Sequence, residues 1–258
     1  MNRSSSLLAV RIAATIAISA WTPGAAAETV RLVYEIQLGG FSAGAIELEA
    51  TTGAAGYRVL AKTEGRGLVE FLTGFHSEAR SEGALRGDAV QPLAHQADNR
   101  WRGDSRRVRI RYQASGAPQF EAEPPPQADD RDPVPGELAV GTLDPLSAAL
   151  QATLAAQAGR GCEGRLEIFD GRRRYALQFR DRRQEAGQLR CQIGLERIAG
   201  MSHDPWLPIM RPIETADLWI ASFRAGVPPV PVRLEAQTSF GAAIVQLTKL
   251  EGAPPRVQ

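Results

Sequence analysis

The chain has 258 residues, 43% hydrophobic and 23% charged, which suits one ordinary soluble domain, or two small ones. Its 30 basic and 29 acidic residues nearly cancel, which argues against a nucleic-acid binder, since such proteins carry a marked basic excess to displace phosphate counterions. Only Lys62 and Lys249 are lysines, so the positive charge is almost wholly guanidinium and the supply of candidate Schiff-base amines is small.

Arg3 and Arg11 accompany an apolar stretch that runs over residues 12–20 and gives way to Pro23-Gly24 and Ala25-Ala26-Ala27. This is the layout of a secretory signal peptide with an Ala-x-Ala cleavage site ending at Ala27. The stretch falls short of the roughly 18 apolar residues of a membrane span, and no cysteine near the site offers a lipid acceptor. An uncleaved anchor is the alternative. The expected product is a periplasmic chain over residues 28–258 with no integral membrane anchor, and loss of the two arginines leaves 28 basic against 29 acidic residues. In that oxidising compartment Cys162 and Cys191, the only cysteines, are expected to form a structural disulfide.

Residues 30–37 alternate Val30, Leu32, Tyr34 and Ile36 with mostly polar neighbours, the period of a strand with one buried face. Gly39-Gly40 turns the chain, and further strands over about 41–50 and 57–61 complete an antiparallel meander. Residues 68–72 read as a short apolar turn or helical plug, followed by a strand over roughly 75–81 and another begun or edged by Pro92. Arg107-Val108-Arg109-Ile110-Arg111-Tyr112 then alternates without error.

Residues 121–136 hold Pro124-Pro125-Pro126, Pro133 and Pro135 and predict a long loop or linker. Asp144-Pro145 supplies an N-cap and a first-turn proline, and Leu143, Leu146, Leu150 and Leu154 recur at helical spacing, so a helix is predicted over 145–157, ended by Gly159 or Gly161. Its polar side carries almost no charge, which suits a helix covered on more than one side. Two apolar runs flank Asp170-Gly171, predicting a hairpin with a type I′ turn. Strands over about 189–198, 216–223, 230–238 and 242–250 bring the total to about ten.

Chemistry is sparse. Nucleophilic catalysis needs a Ser, Cys or Thr with a His and an orienting carboxylate, but only His76, His95 and His203 are present and no Gly-x-Ser-x-Gly elbow accompanies them. His203-Asp204 reads as a surface turn. No metal motif appears, and Asp129, Asp130 and Asp132 read as a solvated acidic turn, so neither metal nor cofactor is expected. The best binding candidate is the row Arg107, Arg109 and Arg111, extended by Trp101 and by Arg172-Arg173-Arg174, which suits phosphate or carboxylate groups of a lipid or glycan. The competing reading is a solvent face whose charges discourage edge pairing.

Tyr34-Glu35-Ile36 with Leu38-Gly39-Gly40 and Gly44, the segment 57–65, Asp144-Pro145-Leu146-Ser147-Ala148, and Cys162 through Phe169-Asp170-Gly171-Arg172-Arg173-Arg174-Tyr175 to Cys191 together resemble the exported bacterial family called domain of unknown function 3108. The resemblance implies an exported β-rich fold and supplies no catalytic residues. The expected fold is mainly β: a curved antiparallel sheet or open barrel with one packed helix, the alternative being the sheet-around-helix architecture of periplasmic lipoprotein carriers. The expected function is non-catalytic binding of an apolar or amphiphilic envelope component, whether lipid or glycan, or of an envelope protein. The alternative is a hydrolase of envelope polysaccharide or peptidoglycan that uses paired carboxylates.

Overall fold

A computed structural model describes residues 27–114, 116–129, 131–202, 213–223 and 229–252. The expected leader, apart from Ala27, and the His203-Asp204 turn lie outside them. Period-two alternation builds most of the rest. A first meander comprises β1 (Glu28–Leu38), β2 (Phe41–Gly53), β3 (Gly56–Gly65), β4 (His76–Arg86), β5 (Ala89–Trp101), β6 (Asp104–Arg111) and β7 (Gln119–Glu123), with helix α1 (Gly67–Thr73) between β3 and β4. After a crossover and helix α2 (Pro145–Gln157), a second meander runs through β8 (Arg165–Phe169), β9 (Arg174–Glu185), β10 (Gln188–Ala199), β11 (Thr215–Ala221), β12 (Val230–Thr238) and β13 (Gly241–Gly252).

Within each meander every strand pairs antiparallel with its sequence neighbours, and β1 also pairs with β13, which fuses the two meanders into one 13-stranded sheet ordered β7-β6-β5-β4-β3-β2-β1-β13-β12-β11-β10-β9-β8. The count exceeds the ten or so expected. One addition is β7, whose Glu121 and Glu123 stand opposite Arg109 and Arg107 of β6. The proline-rich crossover therefore begins after Glu123, and it contains two 3-10 turns, Pro126–Asp129 and Gly136–Ala139. Pro92 sits inside β5, opposite Gly83, where the β4–β5 register shifts and a missing N–H is tolerated.

The sheet curls until its two edges meet through side chains. Phe120 of β7 stacks edge-on against Phe169 of β8 with ring centroids 4.8 Å apart. Val108 and Ile110 of β6 join Val134, Ala139 and Phe169 in one buried cluster, and Arg172 Nη2 donates to the Pro124 carbonyl at 2.5 Å.

Helix α2 lies within the curl. Leu150 and Leu154 are buried among Val30 and Leu32 of β1, Tyr57 and Val59 of β3, Val90 of β5 and Val230 and Val232 of β12. Burial of each such leucine stabilises the fold by about 1.5–3 kcal/mol. Asp144 caps the helix as the sequence predicts, and Gly159 follows the C-cap Ala158 at φ +77°, a conformation glycine adopts at little cost. The Asp170-Gly171 hairpin also forms, but with four residues between the strands. Asp170 Oδ1 accepts from the amides of Arg172 and Arg173, an Asx turn in place of the two-residue type I′ turn.

Helix α1 forms where residues 68–72 suggest, yet it does not plug the interior. Leu68, Phe71 and Leu72 face solvent, Phe71 with 84% of its surface exposed, and Thr73 is the one buried residue of the helix. The β1–β2 tip with Phe41 and the β12–β13 tip with Phe240 lie at this same end of the sheet, where Gly39 N donates to Ala242 O and Arg66 N to Ala43 O. The result is an apolar rim.

Candidate functional site: an apolar cavity beside the central helix

The position of α2 depends on a buried polar cluster at its N-terminus. Asp144, Ser81 and Ser147 are fully buried and His95 nearly so. Ser81 and His95 stand directly opposite one another on β4 and β5, which brings their side chains to the same inner face. Asp144 Oδ1 accepts from Ser81 Oγ at 2.5 Å and from the amides of Leu146 and Ser147 at 3.1 and 3.0 Å, and Oδ2 accepts from Ser147 Oγ at 2.5 Å. His95 Nδ1 lies 3.2 Å from Asp144 Oδ1 and 2.9 Å from Ser81 Oγ, and Tyr57 OH lies 2.7 Å from Ser147 Oγ. Proton bookkeeping closes if Nδ1 carries the imidazole proton and Tyr57 donates to Ser147.

Burial pushes the Asp144 carboxyl upward, but the hydrogen bond and charge of His95 and the hydroxyls of Ser147 and Ser81 outweigh it and hold the group below the ordinary aspartate range. The cluster contains Ser, His and Asp, but it is not arranged as a nucleophilic relay. Serine and carboxylate meet the same imidazole nitrogen, Ser81 gives its proton directly to Asp144, and neither side chain lines either of the two cavities described below. What the cluster does is fasten the start of α2 to β3, β4 and β5.

The middle of α2 and the loop that follows it are fastened differently. Gln151 Nε2 donates to Asp88 O, and Gln151 Oε1 accepts from Val90 N. The loop beyond the helix is tied to β10 by the Cys162–Cys191 disulfide, the pairing expected from the cysteine count. With both ends fixed, α2 stands off from part of the sheet and leaves a cavity of about 340 Å³. Its walls are Pro145, Leu146, Ala149 and Ala152 of α2, Leu32 of β1, Ile46 and Leu48 of β2, Leu166 and Ile168 of β8, Leu177 and Phe179 of β9, and Leu234 and Val245 of β12 and β13. Three of the polar side chains in the lining are turned to other partners: Tyr34 OH donates to Pro231 O at 3.0 Å, Thr153 Oγ1 to Ala149 O at 2.9 Å, and Arg233 to Glu235 and Gln246. The space offers an apolar ligand walls and offers water few partners.

Beyond the disulfide loop lies a second cavity of about 560 Å³, lined by Arg160, Glu163, Arg165 and Glu167 together with Cys162 and Gln151. Arg160 pairs with Asp88, Glu163 with Arg182 at 2.6 Å, and Arg165 with Glu167 and Glu196 at 2.6 and 2.5 Å. Among the described residues no group of three or more His, Cys, Asp or Glu side chains is gathered in metal-binding fashion. Nor is any helix among them long and apolar enough to cross a membrane.

The arginine row lies on the outer face of β6, remote from both cavity linings. Arg107 is bonded to Asp98 of β5 at 2.6 Å and lies 3.5 Å from Glu123 of β7, Arg109 is 4.0 Å from Glu121, and Arg111 stands opposite Ala94 and Gln119. Trp101 is not brought onto that face. It is opposite Asp104, an odd number of residues from Asp98, and its ring meets Phe75 at 5.6 Å. Arg172, Arg173 and Arg174 are engaged locally, by Pro124 O, by Asp170, and by Glu167 with Leu138 O. Of the acidic turn, Asp130 lies outside the described residues, and Asp132 N donates to Met201 O.

A β-rich shell curled around one helix, with an apolar chamber between them, defines the class of protein. A model of the family described as protein of unknown function DUF3108 matches residues 33–248, and the chain belongs to that family. Among solved structures it is similar to a beta-barrel-like protein of domain of unknown function DUF1849 from Brucella abortus, at 13% identity and a TM-score of 0.48, covering 88% of this chain and 98% of that one. No curated protein matches.

Proposed function

We propose that the protein binds, without chemical turnover, the hydrocarbon part of an envelope lipid or other amphiphile in the chamber beside α2, acting in the periplasm after removal of a leader ending at Ala27. The carrying observation is the 340 Å³ apolar cavity. The chamber is partly open, so when empty its Leu, Ile, Val and Phe walls meet water, and a hydrocarbon occupant gains about 25 cal/mol for each Å² of that apolar surface it covers. The sheet-around-helix arrangement of lipoprotein carriers agrees with this reading, although fold analogy alone assigns no function.

The hydrolase alternative finds less support. Glu163 and Glu167 are the carboxylates of the polar cavity. Partial burial pushes Glu167 upward, but hydrogen bonds from Arg165 and Arg174 outweigh it and hold the group low, the opposite of what a glycosidic general acid requires. A protein-partner reading is favoured by a different feature, the rim of Phe41, Leu68, Phe71, Leu72 and Phe240.

Native mass spectrometry of the mature protein purified from periplasm, followed by denaturing extraction, tests the proposal. A lipid-sized mass adduct released on denaturation is the expected result. A clean apo mass, combined with no uptake of an added fluorescent hydrocarbon probe, would overturn it and leave the rim as the surface to pursue.

A further inference from the structure

The two cavities adjoin: Ala152 of α2, Leu166 of β8 and Phe179 of β9 line both, so the apolar chamber and the polar one share a boundary whose α2 side is a small residue. The polar side has a definite charge pattern. Its lining carries two guanidiniums, Arg160 and Arg165, and two carboxylates, Glu163 and Glu167, so its formal charge sums to zero. Arg160, Glu163 and Arg165 are exposed, which places the charges at a mouth facing solvent. Arg160 and Glu163 flank Cys162, whose bond to Cys191 holds this loop against β10 before any ligand arrives.

The balance discriminates between head groups. An anionic head entering this mouth meets arginines already matched by carboxylates and adds an uncompensated charge. A head carrying both signs exchanges partners with the existing ion pairs, phosphate to guanidinium and ammonium to carboxylate, and leaves the local charge unchanged. From the shared boundary and the balanced mouth we infer that one zwitterionic amphiphile spans the two cavities, its hydrocarbon tail beside α2 and its phosphate and ammonium groups among Arg160, Arg165, Glu163 and Glu167. This inference rests on the apolar chamber being a binding site.

The test uses the mature, disulfide-bonded protein loaded with 1-N-phenylnaphthylamine, a fluorescent hydrocarbon probe. The probe is displaced by lysophosphatidylethanolamine or by lysophosphatidylglycerol of the same chain length, both below their micelle concentrations. The zwitterionic lysolipid is expected to displace the probe at a concentration lower by about tenfold. The double variant Glu163→Gln, Glu167→Gln makes the mouth net positive and is expected to reverse the order, its folding checked by circular dichroism. Probe uptake with equal displacement by the two lysolipids would overturn the head-group assignment while the chamber stands as a site. Failure of the wild-type protein to take up the probe or either lysolipid would overturn the chamber as well.

Discussion

At the scale of single residues, the fold's largest electrostatic commitment is a carboxylate buried at the start of α2. Transfer of such a group from water costs several kcal/mol, and it is tolerated because its oxygens are filled by two hydroxyls, two amides and an imidazole. Because the native pKa of Asp144 lies below its ordinary value, its contribution is fully present above the unfolded aspartate pKa and is lost as pH falls through the native one. Asp144→Asn should therefore cost about 3 kcal/mol near neutrality, and the difference from wild type should shrink as the medium is acidified. Urea unfolding at a series of pH values checks this, and a difference that stayed constant into strong acid would count against the account. Sequence exposes only the local half of the arrangement. The N-cap is legible because its acceptor and donors are two and three residues apart. Ser81 is 63 residues from Asp144, and its alignment with His95 depends on the register shift near Pro92. The arginine row shows the same limit: alternation along β6 is legible, whereas Asp98 and Glu123 opposite Arg107 follow from pairings that no local spacing encodes.

At the scale of elements, α2 behaves as a beam pinned at both ends, and its second pin is covalent. The Cys162–Cys191 bond spans a sequence separation of 29. In the chain-entropy model a loop of that size is worth about 3.5 kcal/mol. Unfolding of the Cys162→Ser, Cys191→Ser double variant should show a loss of that order, and affinity for the hydrocarbon probe should fall with it because the chamber wall loosens. An unchanged midpoint would mean that the sheet alone holds the loop. Helix α2 and most strands are legible because burial on one side imprints a period on the chain. β7 is hidden because Gln119-Phe120-Glu121-Ala122-Glu123 has a single large apolar residue and abuts prolines. The outer half of β9 is hidden because its residues 180–185 are exposed and polar throughout. For α1, an apolar run signals a compact element but not which side of the sheet it occupies, so the sequence suggests a plug where the fold has a rim.

At the scale of the whole molecule, the chain makes two meanders, and among the described strands the one pairing that joins distant sequence is β1 with β13. Hairpins are readable from turn residues, while this one long-range pairing is not, which is why strand order is absent from the sequence reading. Closure at the opposite side is by side chains: a Cβ on Gly171 would stand 2.2 Å from Val108 Cγ1, so the glycine permits the edges to touch. The same pairing of first and last strands brings the two ends of the described sheet side by side, for Val30 lies opposite Gly252. A short linker from Gly252 to Glu28, with new ends opened after Pro126 in the crossover, would reorder the meanders without breaking a ladder. Such a circular permutant should fold, form the Cys162–Cys191 bond and take up the hydrocarbon probe as wild type does, with near-ultraviolet circular dichroism and probe titration as the measurements.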